Sequence, residues 1–202
     1  MMKRVKIMFF SLLCLFVLAI GAKFFMDRMK VDNLYRHGFQ LYEEQIATYL
    51  KEHYSGISKI EFSPIFISGG RGEGFVYTRI VPVVYDTYGN KVYLRNDGVL
   101  KMGVADYEMT VGIDLDFNVN DGSEIIYLRN NQKESISVES YQNLPDELKL
   151  NKDEITDEVM TAFSREGYLK GVEKNSQGSP KAEIIYNLEI RRVQGREFYE
   201  WK

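Results

Sequence analysis

Residues 107–119 read YEMTVGIDLDFNV, and the fold turns on how they alternate. Tyr107, Met109, Val111, Ile113, Leu115, Phe117 and Val119 occupy the odd positions, while Glu108, Thr110, Gly112, Asp114, Asp116 and Asn118 occupy the even ones. Successive side chains of a strand point to opposite faces, so the pattern predicts one strand with an apolar face on a core and a polar face toward water or a partner. Antiparallel sheets tolerate such one-sided solvation. Toward the C-terminus, 123–129 and 134–139 continue as strands of a meander. Asn151 then reads as an N-cap with Glu154 three residues on, opening a helix through Ile155, Val159, Ala162 and Phe163 that stops near Gly167. A polar loop, 174–181, leads to a final long strand over 182–193 with Ile184, Tyr186, Leu188 and Ile190 on one face.

Toward the N-terminus, Asn96-Asp97-Gly98 is a strong hairpin signal. Before it, a strand over 91–95 follows a turn at Gly89-Asn90, and 75–85 is a long β-rich run. The segment 59–68 alternates Ile60 and Phe62, and Pro64 places it at an edge or a bulge. From Asp32, Leu34, Leu41, Tyr42, Gln45, Ile46, Tyr49 and His53 recur at helical spacing until Ser55-Gly56. The expected architecture is α+β: an antiparallel meander with two helices packed on one face, as a single domain over 31–202.

Residues 1–30 are different. Lys3, Arg4 and Lys6 precede an uncharged, mostly apolar run over 7–22. That layout belongs to a segment whose N-terminus stays in the cytoplasm and whose C-terminal domain lies outside. Ala19-Ile20-Gly21 supplies small residues for signal cleavage. Phe24, Phe25 and Met26, with Lys23 reaching toward headgroups, extend the run over 7–26, and about 20 residues span a bilayer. The longer run favours a single-pass anchor over a cleaved signal. Cys14, the only cysteine, lies within it, and Leu13 before it is too large for lipoprotein processing. With six basic residues and one acid in 1–30, the remaining 172 residues hold 20 basic against 28 acidic side chains, a charge of −8. Such a domain would repel a phosphate backbone, which excludes nucleic acid as a natural partner.

Few motifs suggest chemistry. The glycines of 69–74 lack the following helix that phosphate cradles use. The run Asp114, Asp116, Asn118, Asn120, Asp121 and Gly122 misses the glycine and the bidentate glutamate of a calcium loop. His37 and His53 lie too far apart to share a metal, and there is no GxSxG or SxxK nucleophile motif. Neither cofactor nor metal is expected. A surface remains: an acidic stripe of Glu108, Asp114 and Asp116, with Tyr77, Tyr85, Tyr88 and Tyr93 in neighbouring segments and Arg71 at a loop tip. Tyrosine and acidic side chains together suit protein recognition, with the charge speeding encounter with a basic partner.

An N-terminal membrane segment, the tyrosine-rich helix NLYRHGFQLYEEQIATYLKEHYSG, and ISKIEF opening a meander resemble the TipC family of immunity proteins from Gram-positive bacteria. The resemblance covers the chain as an order of elements, with its local signal over about residues 34–62. It implies a non-enzymatic protein on the outer face of the producer's membrane that occludes an antibacterial LXG-domain toxin exported by type VII secretion. It also implies that the sheet's concave face is the contact, which here would place the toxin on the acidic stripe. A monomer or weak dimer is expected. The competing class is an envelope accessory module binding a peptide, glycan or secretion component, and a small hydrolase is a third.

Overall fold

The helical period read from residue 32 belongs to the C-terminal end of one helix, α1 (Met2–His53). The computed structural model describes residues 2–69, 76–95, 107–108, 112–193 and 201, without the side chains of 2–9, 11 and 108. Two compact units divide the chain, Met1–Leu34 and Tyr35–Lys202. In the first, the large apolar side chains from Phe10 to Met29 are 47–68% exposed. Among the described residues no helix is long and apolar enough to cross a membrane. The anchor expected over 7–26 includes residues 7–9 and 11, whose side chains lie outside the description.

The second unit is α+β. After the helix come β1 (Tyr54–Ser55), β2 (Ile57–Phe62), β3 (Ile65–Gly69), β4 (Val76–Ile80), β5 (Pro82–Asp86), β6 (Lys91–Tyr93), β7 (Tyr107–Glu108), β8 (Ile113–Phe117), β9 (Glu124–Arg129) and β10 (Ser135–Ser137). A 3-10 turn at Asp146–Leu148 leads to α2 (Glu154–Arg165), then β11 (Glu173–Lys174), β12 (Glu183–Ile185) and β13 (Ile190–Arg192). Two four-stranded sheets, in the orders β12-β2-β5-β6 and β13-β3-β4-β7, are built from the same chain segments. They meet where those segments break. Pro64 has no N–H to give a ladder, and the buried Ser63 closes the gap: its hydroxyl accepts from Val81 N (2.8 Å) and donates to Pro64 O (2.8 Å). On the other side, Ile65 N donates to Glu189 O (2.8 Å). A three-stranded antiparallel sheet, β10-β9-β8, and the short pair β1-β11 complete the strands.

Several expectations need correction. The two four-stranded sheets are mixed, because β12 runs parallel to β2 and β13 parallel to β3. The long final strand is thus two short ones, since it follows the same break as its neighbour. The 107–119 strand is likewise two. Tyr107 pairs into the sheet of β4 while 113–117 pairs with β9, so the two ends serve different sheets. Ile113 is buried, but Val119, expected on the same apolar face, is 96% exposed beyond the strand's end. The cap of α2 is Asp153, not Asn151: its carboxylate accepts from Ile155 N and Thr156 N, and from the Thr156 hydroxyl (2.6 Å). Asn151 instead donates its backbone N–H to Asn131 Oδ1 (2.7 Å). The hairpin signal at 96–98 lies outside the described residues.

The C-terminal part of α1 departs furthest from a helix laid on one sheet face. Phe39, Leu41, Tyr42, Glu43, Gln45, Ile46, Ala47, Tyr49 and Leu50 are all buried, which covers far more of the circumference than one stripe. It meets the three-stranded sheet at Gly38, where an added Cβ would lie 2.3 Å from Leu115 Cδ2. Further along, Gln45 Nε2 donates to Arg129 O (2.9 Å) and Leu148 O (2.8 Å), and Tyr49 Oη donates to Asp157 Oδ1 of α2 (2.6 Å). The helix is the centre of the domain, with sheets and α2 arranged around it. At its end Gly56, with φ +79°, passes so close to Gly171 O that a Cβ would lie 1.9 Å from it.

Candidate functional site

The register of β2, β5 and β6 sorts their side chains. Ile60, Val84 and Val92 align on the buried face. Alternation therefore puts Lys59, Tyr85 and Lys91 in one row of the opposite face, and Glu61, the buried Val83 and Tyr93 in the next, so that this face is partly covered. The row continues into β12 at Glu183, opposite Lys59.

These side chains brace one another. Tyr85 Oη donates to Glu61 Oε2 (2.7 Å), and Lys59 Nζ lies 3.1 Å from the same oxygen and 3.9 Å above the Tyr85 ring centroid. The Tyr85 hydroxyl, and then Lys59, hold the Glu61 carboxyl below the ordinary carboxylate range against its partial burial. Lys91 Nζ stands 5.0 Å and Arg95 Cζ 4.8 Å from the Tyr93 ring centroid. Trp201 meets Tyr93 edge-on at 5.8 Å, and its carbonyl accepts from Arg95 Nη1 (2.9 Å). The result is an aromatic face on which Tyr85 and Tyr93 are half-buried, framed by Lys59, Lys91, the buried Arg95 and two carboxylates, in a chain whose residues 31–202 carry −8. It can stack on and hydrogen-bond to a partner at small entropic cost, because the side chains are already ordered.

The other expected contact residues scatter. Asp114 and Asp116 lie on the outer face of the three-stranded sheet, opposite Tyr127 and Ile125 of β9. Asp114 is half-buried and Asp116 exposed, and Tyr127 is half-exposed beside them. Glu108 belongs to β7, paired with Arg79 of β4 in a different sheet, so it does not extend that stripe; its side chain lies outside the description. Tyr77 is exposed on β4, and Tyr88 is 73% exposed in the turn between β5 and β6. Arg71 lies outside the described residues. Of the seven expected contacts, the structure brings Tyr85 and Tyr93 onto one face and Asp114 and Asp116 onto another.

Lys59, Lys91, Arg95 and Trp201 escaped the sequence reading. A signal for three of them exists in KVYLR (91–95), which alternates Lys91, Tyr93 and Arg95 with Val92 and Leu94, and in ISKIEF, which sets Lys59 and Glu61 opposite Ile60.

Titratable groups elsewhere hold the fold. Asp157 accepts from the Tyr49 and Tyr54 hydroxyls (2.6 Å each) and from Lys174. The three donors keep its carboxyl low against partial burial. His37 bonds Glu124 Oε2 (3.1 Å) and Tyr141 O (2.7 Å), and His53 stacks on Tyr49 at 4.5 Å. In the calcium-like run, Asn118 Oδ1 and Asp121 Oδ1 accept from the backbone amides of Asn120 and Ser123 and so shape a turn. Among the described residues no group of three or more His, Cys, Asp or Glu side chains is placed to hold a metal ion.

Compared with known proteins, the chain matches no family model, no curated protein and no solved structure.

Proposed function

We propose that this chain is a membrane-anchored, non-enzymatic immunity protein that binds and occludes an exported LXG-type toxin outside the cell that makes it. The observation that carries this reading is the outer face of β2, β5 and β6. There Tyr85 and Tyr93 are held in place by Glu61, Lys59, Lys91 and Arg95 and are directed away from the core. Tyrosine, tryptophan and arginine are the side chains on which binding energy concentrates, above all where they are ordered before the partner arrives. The half-buried Asp153 and Asp157 networks stabilise helix α2, which supports a scaffold for recognition rather than for turnover.

The anchor rests on the first unit. Its apolar side chains project from every side of the helix and are about half exposed or more from Phe10 to Met29. At roughly 25 cal/mol per Å² of apolar surface, that exposure is costly in water and costless in lipid. Lys3, Arg4 and Lys6 keep the N-terminus on the cytoplasmic side, so residues 31–202 face outward.

The test is co-purification of the full chain, in detergent, with the LXG-domain protein encoded beside it. A one-to-one complex that protects cells producing the exported toxin is the expected result. A gene neighbourhood of envelope biogenesis, or no complex at micromolar concentration, overturns the reading in favour of an envelope accessory module.

A further inference from the structure

We propose that the cavity beside the first turn of α2 binds a small, uncharged aromatic molecule of one or two rings, a ligand separate from any protein partner. The cavity measures about 350 Å³, at the lower end of ordinary small-molecule sites. Its deepest lining is apolar: Tyr42 and Ile46 of α1 and Tyr107 of β7 face it and are 5%, 3% and 5% exposed. Gly112, just before β8, completes that wall. A Cβ there would lie 2.5 Å from the Tyr42 ring, so the missing side chain is what lets the ring rest against the backbone. Ile155 of α2 adds apolar contact nearer the mouth, where it is 37% exposed.

The charges of the lining are taken by the protein itself. Asp153 accepts from Ile155 N, Thr156 N and the Thr156 hydroxyl, and so serves the helix it caps. At the mouth Glu154 meets Lys152 at 2.8 Å and Lys133 at 3.6 Å, all three with well-exposed side chains. Arg129 is engaged as well. Deeper in, Gln45 Nε2 gives its hydrogens to Arg129 O and Leu148 O, and Tyr107 Oη lies 2.6 Å from Thr156 Oγ1.

These commitments select the ligand. A charged molecule entering the cavity would have to break one of these pairings or remain unpaired against an apolar wall, and a buried charge without a partner is strongly disfavoured. An uncharged ring meets neither obstacle and removes apolar surface from water. The wall also favours a ring over an aliphatic body. The Tyr42 and Tyr107 rings lie 6.5 Å apart and tilted by 50°, so a flat molecule beside them can present its edge to one face and its face to the other edge.

The experiment uses the full chain in detergent micelles with 13C-labelled tyrosine rings, titrated with indole, the anion indole-3-carboxylate and the cation tryptamine. Indole should shift the Tyr42 and Tyr107 resonances saturably, while both charged analogues bind about tenfold or more weakly. Ile155→Glu sets a carboxylate at the cavity's edge in the first turn of α2, where a helix favours acidic residues, so the fold should persist by circular dichroism. It should weaken indole about fivefold or more, and because the micelles are the same, it separates binding in the cavity from partition into detergent. Gly112→Ala forces the Tyr42 ring to move and should weaken indole at least as much. If that variant fails to fold, Ile155→Glu still decides. No saturable shift, meaning a cavity that holds solvent alone, overturns the proposal. So does equal binding of either charged analogue, or undiminished affinity in a folded variant. The immunity reading stands or falls separately, because no toxin enters this measurement.

Discussion

Two outer sheet faces of the same domain present opposite solutions to binding. On β2, β5 and β6, Tyr85 and Tyr93 are cross-braced by Glu61, two lysines and Arg95, so most of their side-chain freedom is lost before any partner arrives. On β8 and β9, Asp114 and Asp116 project charge beside the half-exposed Tyr127 with no comparable frame. The first face is suited to short-range affinity, the second to long-range steering. The sharpest separation comes from Tyr85→Ala combined with Tyr93→Ala. Two ordered aromatic anchors lost should weaken the proposed toxin complex about 100-fold, mainly in dissociation rate, as measured by surface plasmon resonance with circular dichroism to verify the fold. Less than a threefold loss would break the comparison at its stronger end.

The two faces should also respond differently to pH. Glu43 of α1 is fully buried, and its Oε2 accepts from Asn187 N (3.1 Å) at the break between β12 and β13. Burial is the main cause that pushes its carboxyl up to about 9, against the Asn187 amide, which favours the charged form. The native state therefore holds a proton that the unfolded chain releases at ordinary carboxylate pH, and stability falls as pH rises between the two values. Each unit in that window costs up to about 1.4 kcal/mol, or tenfold in an opening equilibrium. Raising pH from 7 to 8 should thus increase amide exchange, corrected for intrinsic rate, about tenfold or less at 183–192, beside the tyrosine face. Strands β8 and β9 should change little. Glu43→Gln keeps the acceptor for Asn187 and should abolish the difference. Equal sensitivity of both sheets in the parent chain would sink this assignment.

What could be read from sequence followed the range of the interactions involved. The helix over 32–53 is legible because its period is local, yet nothing local marks Glu43, next to Glu44, as a buried acid. It is buried because strands distant in sequence surround α1 on more than one side. Likewise the α2 cap was misplaced by two residues because Asn151 and Asp153 are equivalent by residue type. Asn131, 20 residues upstream, decides between them by taking the Asn151 amide. The alternation over 107–119 was real at both ends, but nothing local says that a chain changes sheets midway. For the site, Tyr85 and Tyr93 were visible as residues, whereas their grouping depends on strand register across 26 residues for Lys59 and on a ring contact across 108 residues for Trp201. Composition points to the residue types, and only pairing assembles them.

The acidic face carries the smallest expected effect. Asp114→Lys with Asp116→Lys changes the local charge by four units on exposed or half-exposed positions, where surface interactions are individually weak and salt-screened. Since neither side chain belongs to the braced tyrosine frame, dissociation should be nearly unaffected. Only the field guiding a basic surface toward the domain is altered, so the association rate should fall about three- to fivefold at low salt. The loss should disappear near 0.5 M salt, where the Debye length is only about 4 Å. A salt-independent loss that appears mainly in dissociation would instead place Asp114 and Asp116 inside the contact, and would transfer to β8 and β9 the role assigned above to Tyr85 and Tyr93.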